Sequence, residues 1–409
     1  MKIAMMTNSY RPFVAGVPIS VERLAGGLRA LGHQVVVFAP SYDNQQDEED
    51  IVRYGSLIRG VAGGFSVPNH LDPKIEREFR EGKFDVIHVH HPMMIGSTAR
   101  YLSWKYQVPL IYTYHTRYEQ YLHYIGLAGL KKVMPVYLRG TLRRCDMVIA
   151  PTPAIRDYLE DIRIGAPVEV LPTGLSDDSF LPDEERAKQL RRKLAGQRTR
   201  LFCTVARLAK EKNLEFLFES LWYYKQRAGS CFKLALIGEG PYRAKLLKRV
   251  KELGLEEEIV FAGQIPNEEI KNYCRASDLF LFTSRSETQG IVLLEAMAAG
   301  TPVLALKATG TEDIVINGAN GYMTEVSGEE EKARIWDEQV FAQKLMDILE
   351  KKELDFLRQG AVRTAGDYKG MQIAGWAEKY YSRVLWAYPE KKSRFSGKHL
   401  ADMLYWTGH

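Results

Sequence analysis

The stretch that most constrains the fold of this chain is a strand, a polar loop and a helix in its second half. An apolar run from Leu279 to Phe282 precedes the loop, and helix-forming residues then run from Ile291 to Ala299, where Gly300 and Pro302 end them. In a parallel α/β sheet such a loop lies at the carboxyl end of its strand. The backbone N–H groups of Gly290 and Ile291 would then open the helix and attract a phosphate group.

Two glutamates belong to the same segment. Glu287 lies in the loop and Glu295 lies in the helix. Because a helix rises roughly 1.5 Å per residue, one carboxylate would lie beside the phosphate and the other several ångströms along the helix. Such a pair suits two sets of sugar hydroxyls. The alternative is that both glutamates are solvated side chains without a ligand, so other motifs must decide between the two interpretations.

The pattern of Glu287, seven residues and then Glu295 resembles the signature of retaining glycosyltransferase family 4. That family has the GT-B fold, an α/β architecture of two Rossmann-like, doubly wound domains that face each other across a cleft. Strands alternate with helices in both halves of this chain, which is the pattern of such domains. The resemblance implies that Glu287 contacts the donor sugar and that Glu295 holds the ribose of the nucleotide.

A basic loop after an earlier apolar run is the second motif. Arg207 and Lys212 can converge on one diphosphate, Arg207 through a bidentate fork and Lys212 as a point charge. Taken alone, two basic residues in a loop are more often solvated, but their order matches the basic loop of family 4. Gly238, at a glycine-rich strand end, can line the same donor site. The resemblance also implies that the backbone at Gln264 and Ile265 meets the base.

The first half supplies two further candidates. Gly16 lies in the loop after the first strand, where the family usually has Gly-Gly-Val, and we place it at the donor phosphates. Ala15 departs from that pattern, and a lone loop glycine is otherwise a turn residue. We predict that the following helix begins at Ser20. His115 follows a strand, and the resemblance implies that it lies beside the donor sugar with a positioning and electrostatic role; on sequence alone it would be a structural histidine.

A metal site is the alternative for the histidines of an earlier strand. His88 and His90 share one face by strand alternation, so a metal pair is conceivable. No third ligand follows at a recognisable spacing, and the family resembled is metal-independent. We therefore predict no metal and no cofactor, with a nucleotide sugar, UDP-glucose, as a substrate.

Length and composition set further bounds. The 409 residues are long for one core and natural for two domains, and 45% of them are apolar, without an uninterrupted run near the roughly 20 residues that span a bilayer. The first residues are too soon polar for a secretory signal, which predicts a cytosolic protein. A net charge of +5 is too small to indicate nucleic acid. The cysteines lack paired spacing, which predicts buried thiols without disulfides or zinc; they are Cys145, Cys203, Cys231 and Cys274.

The acceptor prediction depends on a narrower resemblance. The fragments Thr113–Thr116, Tyr118–Glu119 and His123–Tyr124, together with Ser286–Gly290, look like the bacterial diacylglycerol glucosyltransferases of the family. Between Arg100 and Arg144 eight basic residues stand against one acid, interleaved with apolar residues. This segment could lie on an anionic membrane surface, each basic residue contributing about 1 kcal/mol, or it could be a solvated helix that packs on its own domain.

The predicted domains are an acceptor-binding Rossmann-like domain over residues 1–175 and a nucleotide-sugar-binding one over residues 176–379. Residues 380–409 would form a helix, Tyr380 to Tyr388, that crosses back to the first domain, and a basic aromatic tail. The polar segment from Ser176 to Arg200 is interpreted as the interdomain connection. The tail from Lys391 to His409 is either a second membrane contact or a frayed terminus.

We therefore predict a retaining glucosyltransferase that moves glucose from UDP-glucose to diacylglycerol on the inner face of the cell membrane. The diphosphate leaves with negative charge, which Arg207, Lys212 and the helix N-terminus would stabilise. A transferase to a soluble or polyprenyl-linked saccharide shares every donor motif. A nucleotide-sugar 2-epimerase of similar architecture would need acid/base carboxylates in the first domain, and a non-catalytic nucleotide-sugar sensor is the remaining alternative.

Overall fold

A computed structural model describes residues 1–43, 48–61, 65–117, 133–196, 199–328, 330–351 and 353–394. The chain forms two compact units. The first comprises Met1–Leu171 and the chain from Met371 onward, and the second comprises Pro172–Gly370. The predicted boundaries were 175/176 and 379/380, so the chain enters the second unit four residues earlier than predicted and leaves it nine residues earlier.

The first unit is a parallel sheet with helices on its faces, the arrangement that buried strands alternating with amphipathic helices predict. In the described part of the chain its strand order is β3-β2-β1-β6-β7-β8-β9, and β4 and β5 form a separate antiparallel hairpin. The elements are β1 Lys2–Met6, α1 Gly16–Ala30, β2 Gln34–Pro40, β3 Ile51–Tyr54, β4 Ser56–Val61, β5 Phe65–Pro68, α2 Pro73–Gly82, β6 Val86–Val89, α3 Ile95–Tyr106, β7 Leu110–Thr113, α4 Met134–Leu142, β8 Met147–Ala150, α5 Pro153–Asp161 and β9 Val168–Val170.

The predicted start of the first helix was wrong. Helix α1 begins at Gly16, not at Ser20, and Ala15 is its N-cap residue with an extended backbone. Pro18 lies in the first turn, where backbone N–H groups have no intrahelical partner, so proline is tolerated there. The loop after β1 is therefore shorter than the sequence indicated.

The end of the described chain packs on the first unit. Helix α13, Gly370–Arg394, contains the predicted crossing segment Tyr380 to Tyr388. Its buried side chains join the cluster that includes strand β1, and this set comprises Ile373, Ala374, Ala377, Tyr381 and Val384. The predicted tail lies outside the described residues from residue 395 onward, and so do the fragments Tyr118–Glu119 and His123–Tyr124.

The second unit is a second parallel sheet, with the order β12-β11-β10-β13-β14-β15 in the described part of the chain. Single turns of 3₁₀ helix occur at Asp177–Phe180 and Lys210–Lys212. The other elements are α6 Glu184–Leu194, β10 Arg200–Val205, α7 Leu214–Ala228, β11 Phe232–Ile237, α8 Arg243–Glu252, β12 Ile259–Gly263, α9 Asn267–Ala276, β13 Leu279–Phe282, α10 Ile291–Ala298, β14 Val303–Leu306, β15 Gly321–Thr324, α11 Glu331–Glu350 and α12 Leu354–Gly366.

The interpretation of Ser176–Arg200 as an interdomain connection was wrong. The segment contains helix α6, whose Ala187 and Leu190 are buried in the second unit. Arg191 pairs with Asp278 at 2.9 Å, which ties the helix to the start of β13. The charged residues that suggested a linker form the solvated face of a packed amphipathic helix.

The structure also bears on the predictions about cysteines and membrane spans. Cys145, Cys203 and Cys274 are buried free thiols, as predicted, but Cys231 is exposed because it precedes strand β11 at the surface. Among the residues described above, no helix combines the length and the apolar character that crossing a membrane requires.

Candidate active site

The predicted donor residues of the second unit lie at one edge of its sheet. Strands β12, β11, β10 and β13 are neighbours and run parallel, so their carboxyl ends share an edge. The residues that follow these four ends are Gln264 and Ile265 after β12, Gly238 after β11, Arg207 and Lys212 after β10, and Glu287, Gly290 and Ile291 after β13. Segments far apart in sequence are thus brought together by parallel topology.

An ion pair joins the loop that follows β10 to the loop that follows its neighbour β13. The Lys212 ammonium contacts Glu287 Oε1, and the two side chains are 17% and 23% exposed. Ser284 Oγ donates to the same carboxylate oxygen at 3.0 Å. Burial raises the pKa of Glu287. The Lys212 charge and the hydrogen bonds from Lys212 and Ser284 lower it by more than burial raises it, so the pKa lies below its usual value and the carboxylate is ionised.

The backbone around this pair is held by a buried hydroxyl. Thr283 Oγ1 contacts the carbonyl oxygens of Lys212 at 3.3 Å and Asn213 at 3.1 Å. Asn213 has a left-handed backbone with φ of 55°, which ends the 3₁₀ turn and starts helix α7. Thr283 therefore tethers the backbone of the Lys212 loop to the end of β13. The sequence motif did not indicate this role.

Helix α10 opens at Gly290, as the sequence predicted. Gly290 has a left-handed φ of 67° and is the N-cap residue, without a side-chain cap. A Cβ atom there would lie 3.0 Å from the carbonyl oxygen of Gly310. Conformation and packing both favour glycine, and the first N–H groups of the helix, beginning with Ile291, point out of its end.

The loop before α10 is anchored by Gln289, which is only 3% exposed. Its side-chain oxygen accepts from the Thr173 N–H at 2.7 Å, and its Nε2 donates to the Thr173 carbonyl at 3.1 Å. Both residues belong to the second unit. Gln289 thus has a structural role within the motif that resembled family 4.

Gly238 has a packing explanation in addition to the predicted role at the donor site. Its φ is 130°, and a Cβ atom would overlap the carbonyl oxygen of Ala206. Gly240 likewise approaches the carbonyl of Leu208 too closely for a side chain. Backbone hydrogen bonds, including Leu208 N–H to the Glu239 carbonyl at 3.0 Å, join the two loops. The glycines allow the loops after β10 and β11 to lie against each other.

The remaining donor candidates differ in exposure. Arg207 and Gln264 are exposed, while Glu295 and Ile265 are half-buried. Within the described chain Arg207 makes no ion pair, unlike Lys212. Its guanidinium therefore has donors to offer an anionic ligand.

In the first unit Gly16 and the histidines lie at the carboxyl edge of the sheet. Gly16 is the exposed first residue of helix α1. Apart from its chain neighbours and its own helix backbone, no heavy atom of the described residues lies within 4 Å of a Cβ placed there, so packing does not explain the glycine. His115 follows β7 and is half-buried, and its Nε2 lies 2.9 Å from Nδ1 of His90. His88, at the end of β6, is fully buried.

The histidines form one neutral cluster. His88 Nδ1 lies 2.6 Å from the Tyr381 hydroxyl, and its Nε2 lies 2.6 Å from Thr113 Oγ1. Burial lowers the pKa of His88 to about 3, and burial followed by the neighbouring histidines lowers those of His90 and His115. Because both nitrogens of His88 are engaged, it cannot pair with His90 as a chelate. Among the described residues, no three His, Cys, Asp or Glu side chains are placed so that they could hold a metal ion together.

Two family models together match most of the chain. Residues 14–179 match Glycosyltransferase Family 4, and residues 185–354 match Glycosyl transferases group 1. An alpha-monoglucosyldiacylglycerol synthase of Streptococcus pneumoniae is 31% identical over 322 residues, covering 75% of this chain and 71% of that protein. A synthase of the same name from Acholeplasma laidlawii is 30% identical over 338 residues, covering 78% and 84%.

Solved structures share the fold. A sucrose-phosphate synthase from Thermosynechococcus elongatus has a TM-score of 0.76 at 20% identity, over 95% of this chain and 100% of that one. Anabaena HepE in complex with UDP-glucose has a TM-score of 0.72 at 19% identity, over 94% and 100%. Both units of the present chain are Rossmann-like, as the GT-B class requires. The chain is therefore a GT-B glycosyltransferase that belongs to glycosyltransferase family 4.

Proposed function

We propose that this glycosyltransferase moves glucose from UDP-glucose to the hydroxyl of diacylglycerol, with retention of the anomeric configuration. The observation that carries the donor half is the Lys212–Glu287 pair beside the open N-terminus of helix α10. The acceptor half is supported by the names of the two relatives that are 31% and 30% identical over most of their length.

The donor site is suited to a diphosphate leaving group. Negative charge develops on a phosphate oxygen as the glycosidic bond breaks, and Lys212, Arg207 and the helix N-terminus supply positive potential. An ammonium has three donors, so Lys212 can bind a phosphate oxygen while it keeps Glu287 oriented. Glu287 would then accept hydrogen bonds from the sugar hydroxyls, and Glu295, one turn into the helix, from the ribose.

Retention without a metal is proposed from the same groups. Attack from the face that the diphosphate leaves needs positive charge at the phosphate, which Arg207 and Lys212 carry as side chains. Gly16 and Gly238 would let backbone approach the donor, and the backbone at Gln264 and Ile265 would meet the base. UDP complexes are known for the Anabaena neighbour, which shares the fold.

Among the alternatives, a 2-epimerase would need acid/base groups in the first unit that move a proton at a sugar carbon. Burial, followed by His91 and His88, lowers the pKa of His115, so this imidazole is neutral. The donor-only reaction in the screen described below separates an epimerase from a transferase. A transferase to a soluble or polyprenyl-linked saccharide stays the second candidate, because the donor residues do not distinguish acceptors.

A peripheral position on the inner face of the cell membrane would give access to the lipid acceptor. Helix α4 buries Met134, Leu138 and Leu142 in its own domain, so part of the predicted membrane face is core. Val133 and Val136 remain 52% and 60% exposed. These two valines are the apolar part of the proposed contact.

The basic part of that contact is smaller than the residue count suggested. Lys105 is paired with Glu76, and Arg100 is half-buried and donates to the Pro92 carbonyl at 3.0 Å. Arg139 and Arg143 are exposed, and Arg139 Nε also donates to the Ile162 carbonyl at 3.0 Å. Lys131 and Lys132 lie outside the described residues. A reversible contact by a few basic residues is what such a surface supports.

A donor and acceptor screen tests the proposal. The full chain is incubated with vesicles of phosphatidylglycerol and diacylglycerol and, in turn, with UDP-glucose, UDP-galactose, UDP-N-acetylglucosamine or GDP-mannose, and products are read by mass spectrometry. We expect a hexosyl diacylglycerol from UDP-glucose, with the α-anomer shown by proton NMR. Glycosylation of soluble sugars alone would contradict the acceptor, and a changed donor without any acceptor would indicate an epimerase.

Vesicle flotation tests the membrane contact separately. Val136→Asp places a charge on the exposed valine, and Val362→Asp is the matched control, since Val362 is 43% exposed on helix α12 of the second unit. We expect only Val136→Asp to weaken binding to anionic vesicles. Equal flotation of both variants would exclude helix α4 from the contact.

A further inference from the structure

His90 has no role in the donor chemistry described above, yet it is buried and in contact with two other histidines of the cluster. It lies one residue beyond strand β6 and is 1% exposed. Its Nδ1 lies 2.9 Å from Nε2 of His115, and the two rings are nearly parallel, with centroids 5.2 Å apart. The centroid of the His88 ring lies 4.2 Å from that of His90.

The two nitrogens of His90 differ in their surroundings. Nδ1 is used by His115, whereas Nε2 is buried and has no hydrogen-bond partner among the described residues. Only one proton can lie in the bond between two neutral imidazoles, so two arrangements are possible. Either His90 donates through Nδ1–H to His115, or His115 donates through Nε2–H to His90.

The buried nitrogen decides between the two arrangements. If His115 were the donor, the proton of neutral His90 would be on Nε2, and a buried N–H group would have no acceptor in the described chain. If His90 is the donor, Nε2 carries only a lone pair. Buried N–H groups without partners are rarer in proteins than under-satisfied acceptors, so the second arrangement has the lower cost.

We infer that His90 is a positioning residue that donates its Nδ1 proton to His115 Nε2 and thereby holds His115 in the tautomer with its proton on Nδ1. In this tautomer Nε2 of His115 is occupied as an acceptor. The proton-accepting nitrogen of the ring is then already used by His90. The functional consequence rests on the proposed function: His115 would act through its position and would not take up the acceptor proton as a general base.

The tautomer is measured directly by nitrogen-15 NMR of the full chain labelled in histidine, at pH 7.5. His115→Gln assigns the signals of His115 by their loss. We expect a protonated, pyrrole-type Nδ1 and an unprotonated, pyridine-type Nε2 for His115. A protonated Nε2 on His115 would overturn the inference. This measurement needs no substrate, so it stands whether or not the proposed transfer reaction is found.

Two substitutions of His90 separate positioning from packing. His90→Asn places an amide N–H near the position of the imidazole Nδ1 and keeps a donor for His115, whereas His90→Leu fills the space without one. We expect His90→Leu to lose about tenfold or more in kcat, with UDP affinity unchanged and mixed tautomers at His115, and His90→Asn to recover most of the rate. Equal losses in both variants, with matched thermal unfolding, would show that His90 acts only by packing.

Discussion

Acidification should weaken the first unit through His88 by an amount that the structure allows us to work out. This ring is fully buried, and burial lowers its pKa from the ordinary 6.5 to about 3. The unfolded chain therefore binds more protons than the folded one between about pH 6.5 and about pH 3. The stabilising contribution is complete above pH 6.5 and is lost as the pH falls toward 3.

The magnitude follows from the two pKa values. At pH 5 about 97% of unfolded His88 side chains carry a proton, against about 1% of folded ones. Integrating this difference from neutral pH gives a loss of about 2 kcal/mol from His88 alone. His91, His90 and His115 shift in the same direction, so the total acid sensitivity of the cluster should be larger.

The assay compares the native chain with His88→Gln, which keeps an amide donor and acceptor near Tyr381 and Thr113 but does not titrate. Urea unfolding is measured at pH 7.5 and pH 5, in a background where Trp222 and Trp336 of the second unit are replaced by Phe, so that fluorescence reports on the first unit. We expect His88→Gln to be less stable at pH 7.5 but to lose about 2 kcal/mol less on acidification. Equal acid dependence in the two proteins would refute the reasoning.

Three further outcomes are expected. Lys212→Ala and Glu295→Ala should each lower the rate of transfer by about tenfold or more, while Lys210→Ala, an exposed lysine of the same turn, should leave it unchanged; full turnover by either of the first two would remove that residue from the donor site. Gly238→Ala should destabilise the second unit by about 2 kcal/mol or more, measured by urea unfolding, because its φ is 130° and the new Cβ meets a carbonyl oxygen. Gln289→Leu should lower the stability of the second unit by about 1–3 kcal/mol through loss of two buried hydrogen bonds, and an unchanged melting temperature would show that this anchor is dispensable.

Local sequence pattern was sufficient to predict the strand and the helix on either side of the Glu287 loop. Strand β13 spans Leu279–Phe282 as predicted, and helix α10 begins at Ile291 as predicted and ends one residue earlier. Continuous apolar runs and a glycine at the helix start are local signals, which tertiary contacts did not overrule. Helix α6 shows the limit, because only two of its residues are buried and its charge was interpreted as a linker.

Contacts between distant segments were not predictable in the same way. Gln289 meets Thr173 across 116 positions of sequence, and His88 meets Tyr381 across 293. No spacing rule connects such residues, and their side-chain types are common in surface loops. The sequence indicated which residues carry charge at the donor site, but the side chains that hold them became visible only in three dimensions.

Strand order explains why chemistry collects at one place in each unit. In the second unit the chain builds outward from β10 through β11 to β12 and then returns to the other side of β10 with β13. Open α/β sheets bind ligands at the carboxyl edge beside such a switch point. Lys212 follows the first of these strands and Glu287 the second, so their ion pair joins the two loops at the switch point.

The first unit repeats the arrangement with different side chains. Its chain builds outward from β1 and returns beside β1 with β6, and across this switch point the Asn8 N–H donates to His91 Nδ1 at 3.1 Å. One unit therefore places an ion pair at the carboxyl edge of its sheet and the other places neutral imidazoles. A diphosphate needs fixed positive charge, which Lys212 and Arg207 of the second unit carry as side chains. The histidines of the first unit stay neutral because burial lowers their pKa values, so the two units differ in the charge that they present at equivalent edges of their sheets.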